Sequence, residues 1–127
     1  MGFVTDWLQD ILKDKQEKLN SINEDIAELE DALACAESAS QLFEEAGSGM
    51  NGLRSDVQNV FKGNAAEAFT DKLLIYCIYC DSRKEHMDRT IDNIKWQLQI
   101  FDKQRNNSQK SIERLEGFIN LLKSWQT

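Results

Sequence analysis

A chain of 127 residues, 41% of them hydrophobic, is enough for one domain built from packed helices and too short for several. Its net charge of −7 argues against a nucleic-acid binder and against a protein drawn to anionic lipid, since both need clustered Lys and Arg. Three cysteines cannot all pair within one chain, which speaks against a disulfide framework, and the absence of proline with only six glycines biases the composition toward helix.

From the start, Met1 to Gln9 has neither the basic opening nor the apolar core of an export leader. Gly2 is not in an acylation motif either, because Asp6 occupies the place of the required Ser or Thr. Asp6 and Gln9 together can form a capping box that opens a helix. From there a first arm, about residues 6–61, alternates steps of four and three through Leu8, Leu12, Lys15, Leu19, Ile22, Ile26, Leu29, Leu33, Ala36, Ser40, Phe43, Gly47 and Met50. A seven-residue period sustained that long signals a coiled-coil seam, with the stem of Lys15 laid along it and its ammonium in water. The pattern weakens between Gly47 and Gly52, then resumes with Leu53, Val57, Val60 and Phe61.

At the midpoint, Phe61-Lys62-Gly63-Asn64 interrupts the helical pattern. Gly63 supplies the backbone freedom to stop one helix, Asn64 can cap the next, and Glu67 three residues later completes a second capping box. One short turn at about 61–64 between arms of equal length predicts an all-α, coiled-coil-like antiparallel two-helix hairpin comprising a single domain over 1–127. The rise per residue would make such arms a rod of roughly 85–90 Å.

The second arm, about 64–125, reads Phe69, Leu73, Tyr76, Cys80, Met87, Ile91, Ile94, Leu98, Phe101, Ile112, Leu115, Ile119 and Leu122. Two successive steps of four around Met87 resemble a stutter, and Arg105 and Ser108 on the stripe should loosen the seam. From Leu19 to Leu53 the first arm carries eight acidic residues and no basic one, while Arg83, Lys84, Arg89 and Lys95 lie on the stretch that would face it. That opposition should attract the arms and select their register, at ~0.2–1 kcal/mol per exposed pair.

No catalytic, cofactor-binding or metal-binding residue emerges. Cys77-x-x-Cys80 lies inside a helical run without the turn that exposes an attacking thiolate, so core packing explains it better than redox or zinc chemistry. His86 is the only histidine and has no nucleophile suitably placed along the helix, and the carboxylates form no paired constellation. The protein is therefore expected not to be an enzyme. The eight consecutive apolar residues Leu73 to Cys80 are more informative, since they cover the whole circumference of a helix of which a hairpin partner shields one side. A buried strand is the other possibility, since Ile and Tyr favour sheets, but no second strand candidate exists to pair with it. Leu73, Leu74, Ile75, Ile78 and Tyr79 are thus the candidate partner interface, with Tyr76 and Cys80 expected inside. The glycines at 47, 49 and 52 are expected to face this run and make room for the tyrosines.

The central motif, with Phe61 in the place of a Trp, Gly63 as the following Gly, small Ala65 and Ala66 at the helix start and Phe69 as the next aromatic, resembles the turn of the WXG-type helical hairpins of type VII secretion. The acidic first arm, the length and the Phe are most similar to the small YwqH-like proteins that partner LXG polymorphic toxins. The resemblance implies a non-catalytic targeting factor or chaperone-like adaptor of a Gram-positive bacterium. Its partners would be the N-terminal helical domain of an LXG-type toxin and a second small helical protein or another copy of itself. It also implies a cytoplasmic protein that leaves the cell, if at all, within a toxin complex and without a cleaved signal peptide. The secretion tag Tyr-x-x-x-Asp/Glu is absent: Tyr76 is followed by Cys80 and Tyr79 by Arg83. Two further readings of the residues are a cytosolic coiled-coil scaffold or homodimer unrelated to secretion, and a helical sensor using Cys77 and Cys80.

Overall fold

A computed structural model of the chain describes residues 2–126. Two α-helices account for nearly all of it: α1, Gly2–Val60, and α2, Asn64–Gln126, packed against each other as an all-α helical hairpin. There is no proline to interrupt either helix, and α1 continues without a break through its glycine-rich stretch.

Phe61, Lys62 and Gly63 make the reversal. The last bond of α1 runs from the Phe61 N–H to the Val57 carbonyl at 2.9 Å, and the first of α2 from the Glu67 N–H to the Gly63 carbonyl at 3.1 Å. The N-terminal cap of α2 is therefore Gly63 and not Asn64, which is already helical, so the Asn64–Glu67 capping box does not form. Gly63 has φ of +112°, a left-handed conformation that L side chains rarely adopt, and a Cβ built there would meet nothing within 4 Å. The turn requires glycine for its backbone conformation and not for want of space.

Two compact units divide the chain, one of Met1–Asp31 with Trp96–Thr127 and one of Ala32–Lys95, so each contains a piece of both helices. Along α1 the less exposed positions include an unbroken three-four alternation from Thr5 and Leu8 to Arg54 and Val57, with Ile11 and Ala39 partly covered beside it. Along α2 they include one from Thr70 and Leu73 to Ile119 and Leu122, with Asp88, Thr90 and Ser111 partly covered beside it. Calling these positions a and d, α1 begins with Thr5 at a and Leu8 at d, and α2 with Thr70 at a and Leu73 at d. In each unit the facing seam positions have residue numbers that add to 127. An added Cβ at Gly47 would lie 3.4 Å from that of Cys80, and the hydrogen bonds from Ser40 to Asp88 and from Lys15 to Ser111 cross the seam close to the same register.

This register corrects α2 near the turn. Thr70, Leu73, Cys77, Cys80 and Lys84 occupy the seam, whereas Phe69 and Tyr76 are exposed, at 46% and 55%. No stutter exists around Met87: continued backwards from Ile91, the alternation passes through Met87 and Lys84 to Cys80 without a skip. In α1 the seam ends on Arg54 and Val57, and Leu53, Val60 and Phe61 face solvent.

The two seams differ in chemistry. In the unit holding the termini, Leu8, Ile119 and Leu122 form a buried cluster with Leu12 and Leu115 packed on it, and the Lys15 ammonium donates to Ser111 Oγ at 2.9 Å. In the unit holding the turn the buried residues are small or polar: Ala36, Ser40, Gly47, Thr70, Cys77 and Cys80, with Leu73 the single large one.

Replacing Gly63 with Ala should destabilise the hairpin by about 1–3 kcal/mol, because the methyl group meets only backbone strain. Gly52, helical and equally unobstructed, should respond oppositely, with Ala stabilising by up to about 1 kcal/mol. Thermal melts followed by circular dichroism check both, and equal shifts of the same sign would contradict the assigned turn.

Candidate partner-docking surface

The residues around the turn invert the usual amphipathic order, with small side chains inside and large ones outside. Ile75 is 64% exposed, Ile78 59%, Tyr79 53% and Leu74 38%, and Tyr76 joins them. Five of the eight residues from Leu73 to Cys80 are thus open to solvent, and together they surround every side of α2 that α1 does not cover. Leu73 is buried on the seam and leaves the candidate surface; Tyr76, expected inside, enters it. Tyr76 is outside because the aromatics at 69 and 76 lie one residue before the seam positions taken by Thr70 and Cys77, whereas Leu73 holds a seam position in either phase.

Helix rise puts these side chains within two turns of one another, and Arg83 one turn on fixes the last of them. Its Nε–H donates to the Tyr79 hydroxyl at 3.1 Å while its guanidinium carbon lies 5.2 Å from the Tyr79 ring centroid. A tyrosine held this way loses less rotamer freedom when another surface covers it, and Tyr and Arg are enriched among the residues that dominate interface energies.

The small seam has a close helix approach as its counterpart. Gly47 is buried, and its carbonyl accepts a weak hydrogen bond from the Cys77 thiol at 3.7 Å. The glycine at 47 therefore accommodates Cys77 and Cys80, not the tyrosines, while Gly49 and Gly52 face open space. An open groove of about 430 Å³ runs beside this contact, lined by Glu44, Asn51, Leu74, Ile78, Asp81 and Lys84 among others. Its walls mix charged, polar and apolar side chains, unlike the predominantly apolar pocket expected for a small organic ligand.

Among the described residues no three His, Cys, Asp or Glu side chains converge on a position that could hold a metal ion. Cys77 and Cys80 are buried and unpaired, and Cys35 is exposed and unpaired. Among the described residues no helix is long and apolar enough to cross a membrane.

Electrostatics position the helices less through facing charges than through one polar cluster. The ion pairs among the described residues, Lys84–Asp88 at 2.8 Å and Arg105–Asp102, both lie within α2, so the expected pairing of oppositely charged arms is not made by direct contacts. Across the helices, the buried Ser40 hydroxyl donates to Asp88 Oδ1 at 2.6 Å while the Lys84 ammonium donates to Oδ2. Lys84, and then Ser40, hold the Asp88 carboxyl below its ordinary value. Lys84 is raised, first by Asp88 and then by the fields of Glu44 on α1 and Asp81.

Comparison of the chain with protein-family models, curated proteins and solved structures gives no match. The turn residues stand as follows: Phe61 is 62% exposed, Gly63 caps α2, Asn64 is its first helical residue, the Glu67 N–H is bonded to Gly63, and Phe69 is exposed. The Glu67 carbonyl in turn accepts from the buried Thr70 hydroxyl at 2.9 Å.

Because the carboxyl of Asp88 is depressed on folding, its contribution is present above the ordinary Asp range and is lost as pH falls through the folded-state value, below 3.8. Asp88→Asn should therefore flatten the acid limb of melting temperature against pH, with the two proteins converging below that value. An acid limb unchanged by the substitution would remove this cluster from the account.

Proposed function

We propose that the protein is a non-catalytic helical adaptor that docks the N-terminal helical domain of an LXG-type toxin and supports its type VII secretion. The observation that carries the reading is the large apolar surface left outside the seam of the turn-holding unit, where Ile75, Ile78 and Tyr79 point away from α1. Contiguous exposed apolar surface of this kind suits a protein interface better than free solvent. A helical partner fits it best, because side chains recurring every three and four residues on a helix interdigitate with those of another helix. The turn motif of Phe61, Gly63 and Phe69, with its likeness to WXG-type hairpins, supports the toxin domain as that partner.

The mechanism is assembly. Leu74 and Ile78 cover one side of α2, Ile75 the back, and Tyr76 and Tyr79 the other, so two or more partner helices can be seated at once. Of the small residues Ala32, Ala34, Ala36 and Ala39, Ala36 is buried on the seam and Ala34 lies on the opposite side, so Ala32 and Ala39 are the pair that leaves α1 slim enough for a further helix to approach. No step of bond chemistry is involved, and a secretion tag would come from another subunit.

Ile75→Gln with Ile78→Gln tests this. Both side chains are more exposed than Leu74, so the double variant should keep its helicity and melting temperature. Co-expression with the helical domain of an LXG toxin from the same genome should then give no complex, because truncating central apolar anchors costs about 2 kcal/mol or more each. A well-folded double variant that still binds that domain would refute the surface.

A further inference from the structure

The two flanks of the turn-holding unit differ in charge as well as in polarity. The groove beside Cys77 is lined by Glu44 and Asn51 of α1 and by Leu74 and Asp81 of α2, all at e, which fixes that side as the e flank. The e and neighbouring b positions of α2 carry six carboxylates between Glu67 and Asp92, α1 adds Glu37 and Glu44, and Lys95 is the single cation there. The other flank, of g and neighbouring c positions, holds one carboxylate, Asp56, and two cations, Lys72 and Arg83.

The cations are placed with the aromatics. Lys72, Tyr76, Tyr79 and Arg83 follow at steps of four, three and four, so they form one stripe of α2, aromatic in the middle and cationic at both ends. Lys72 and Arg83 are eleven residues apart in the helix, three turns and about 16 Å of rise. Neither is paired with a carboxylate among the described residues: Arg83 Nε–H donates to the Tyr79 hydroxyl, and the ion pairs are made by Lys84 and Arg105. Across this flank, Leu53 and Val60 of α1 stand nearest in height to Tyr76 and Phe69. All four are open to solvent, Leu53 and Phe69 at 46%, Tyr76 at 55% and Val60 at 72%.

Resting on the adaptor reading, we infer that this flank seats one amphipathic helix of the toxin domain, whose apolar stripe is bounded by two carboxylates eleven residues apart. The helix lies along the hairpin, with its apolar side chains between Leu53 and Val60 on one wall and Phe69, Tyr76 and Tyr79 on the other. One carboxylate meets the Lys72 ammonium and the other the Arg83 guanidinium, whose terminal nitrogens suit a carboxylate. Charge also decides which flank it takes, because the carboxylates of the e side repel the same helix. A second copy offering this flank brings no carboxylate but Asp56, and a basic helix would be drawn to the e side instead.

The test is titration calorimetry of the full chain with the LXG toxin's helical domain, at low and at high salt. Lys72→Glu with Arg83→Glu should weaken binding by roughly tenfold or more at low salt, and the deficit should shrink at high salt. Lys72→Glu alone, which leaves the Tyr79–Arg83 contact in place, should weaken it in the same salt-dependent way. Leu53→Gln with Val60→Gln should remove binding at unchanged helicity, although neither residue lies on α2. Glu44→Gln with Asp81→Asn, on the other flank, should not weaken binding. Indifference to the Lys72–Arg83 or the Leu53–Val60 pair, or a loss caused by the Glu44–Asp81 pair, would overturn this seat and leave the adaptor reading standing. An unchanged chain that does not bind the domain would overturn both. A dimer of the unchanged chain that the Leu53–Val60 pair dissociates would give the flank to a second copy and overturn the assigned occupant.

Discussion

Two helices that have only each other can each bury one stripe, and everything else in this protein follows from how that stripe is filled. A lone helix of either sequence would be marginal in water, because nucleation is costly and only packing of the apolar face repays it. Packing against one neighbour covers less than half of each circumference, so no large side chain is fully buried among the described residues and even Ile119, the most enclosed, retains 3% exposure. Large apolar residues outside the stripe must then stay in water or meet another molecule.

The two units resolve this differently. Around Leu8, Leu12, Leu115, Ile119 and Leu122 the seam is aliphatic and holds the helices by apolar burial. Near the turn the seam is built from Ala, Ser, Gly, Thr and Cys, and specificity replaces bulk: the Ser40–Asp88–Lys84 cluster and the Cys77–Gly47 contact fix the register while contributing little apolar area. The seam there buries less apolar area, and the large side chains of Phe69, Tyr76 and Ile75 are left exposed. Such a distribution leaves apolar surface outside the seam, which is what the proposed adaptor role requires.

Much of this was legible in the residues. The α1 seam from Leu8 to Met50 follows from the four-three spacing, and the hairpin and its turn from the interruption at Phe61–Asn64 between two arms of equal length. The α2 seam from Met87 onward was legible for the same reason. Between Phe69 and Cys80 it was not: every residue from Leu73 to Cys80 is apolar, so hydrophobicity carries no phase, and the aromatic rings drew the stripe to Phe69 and Tyr76. The phase information lay elsewhere, in the alternation extended backwards from Ile91 through Lys84 and Cys77 to Thr70, two polar residues and a small one. The cap of α2 falls one residue before the position that the chemistry of Asn64 and Glu67 suggests, because the turn's positive φ falls on Gly63.

The phase of α2 near the turn is therefore the claim on which the partner surface rests, and the three thiols report on it directly. Cys35 is exposed, while Cys77 and Cys80 are buried on the seam. Native protein treated with a thiol-alkylating reagent and followed by peptide mass spectrometry should show fast modification at Cys35 and slow modification at Cys77 and Cys80, limited by opening of the hairpin. Denaturant should bring all three to one rate. Modification of Cys77 in the native protein as fast as that of Cys35 would place it outside, turn Tyr76 back into the seam, and contradict the account.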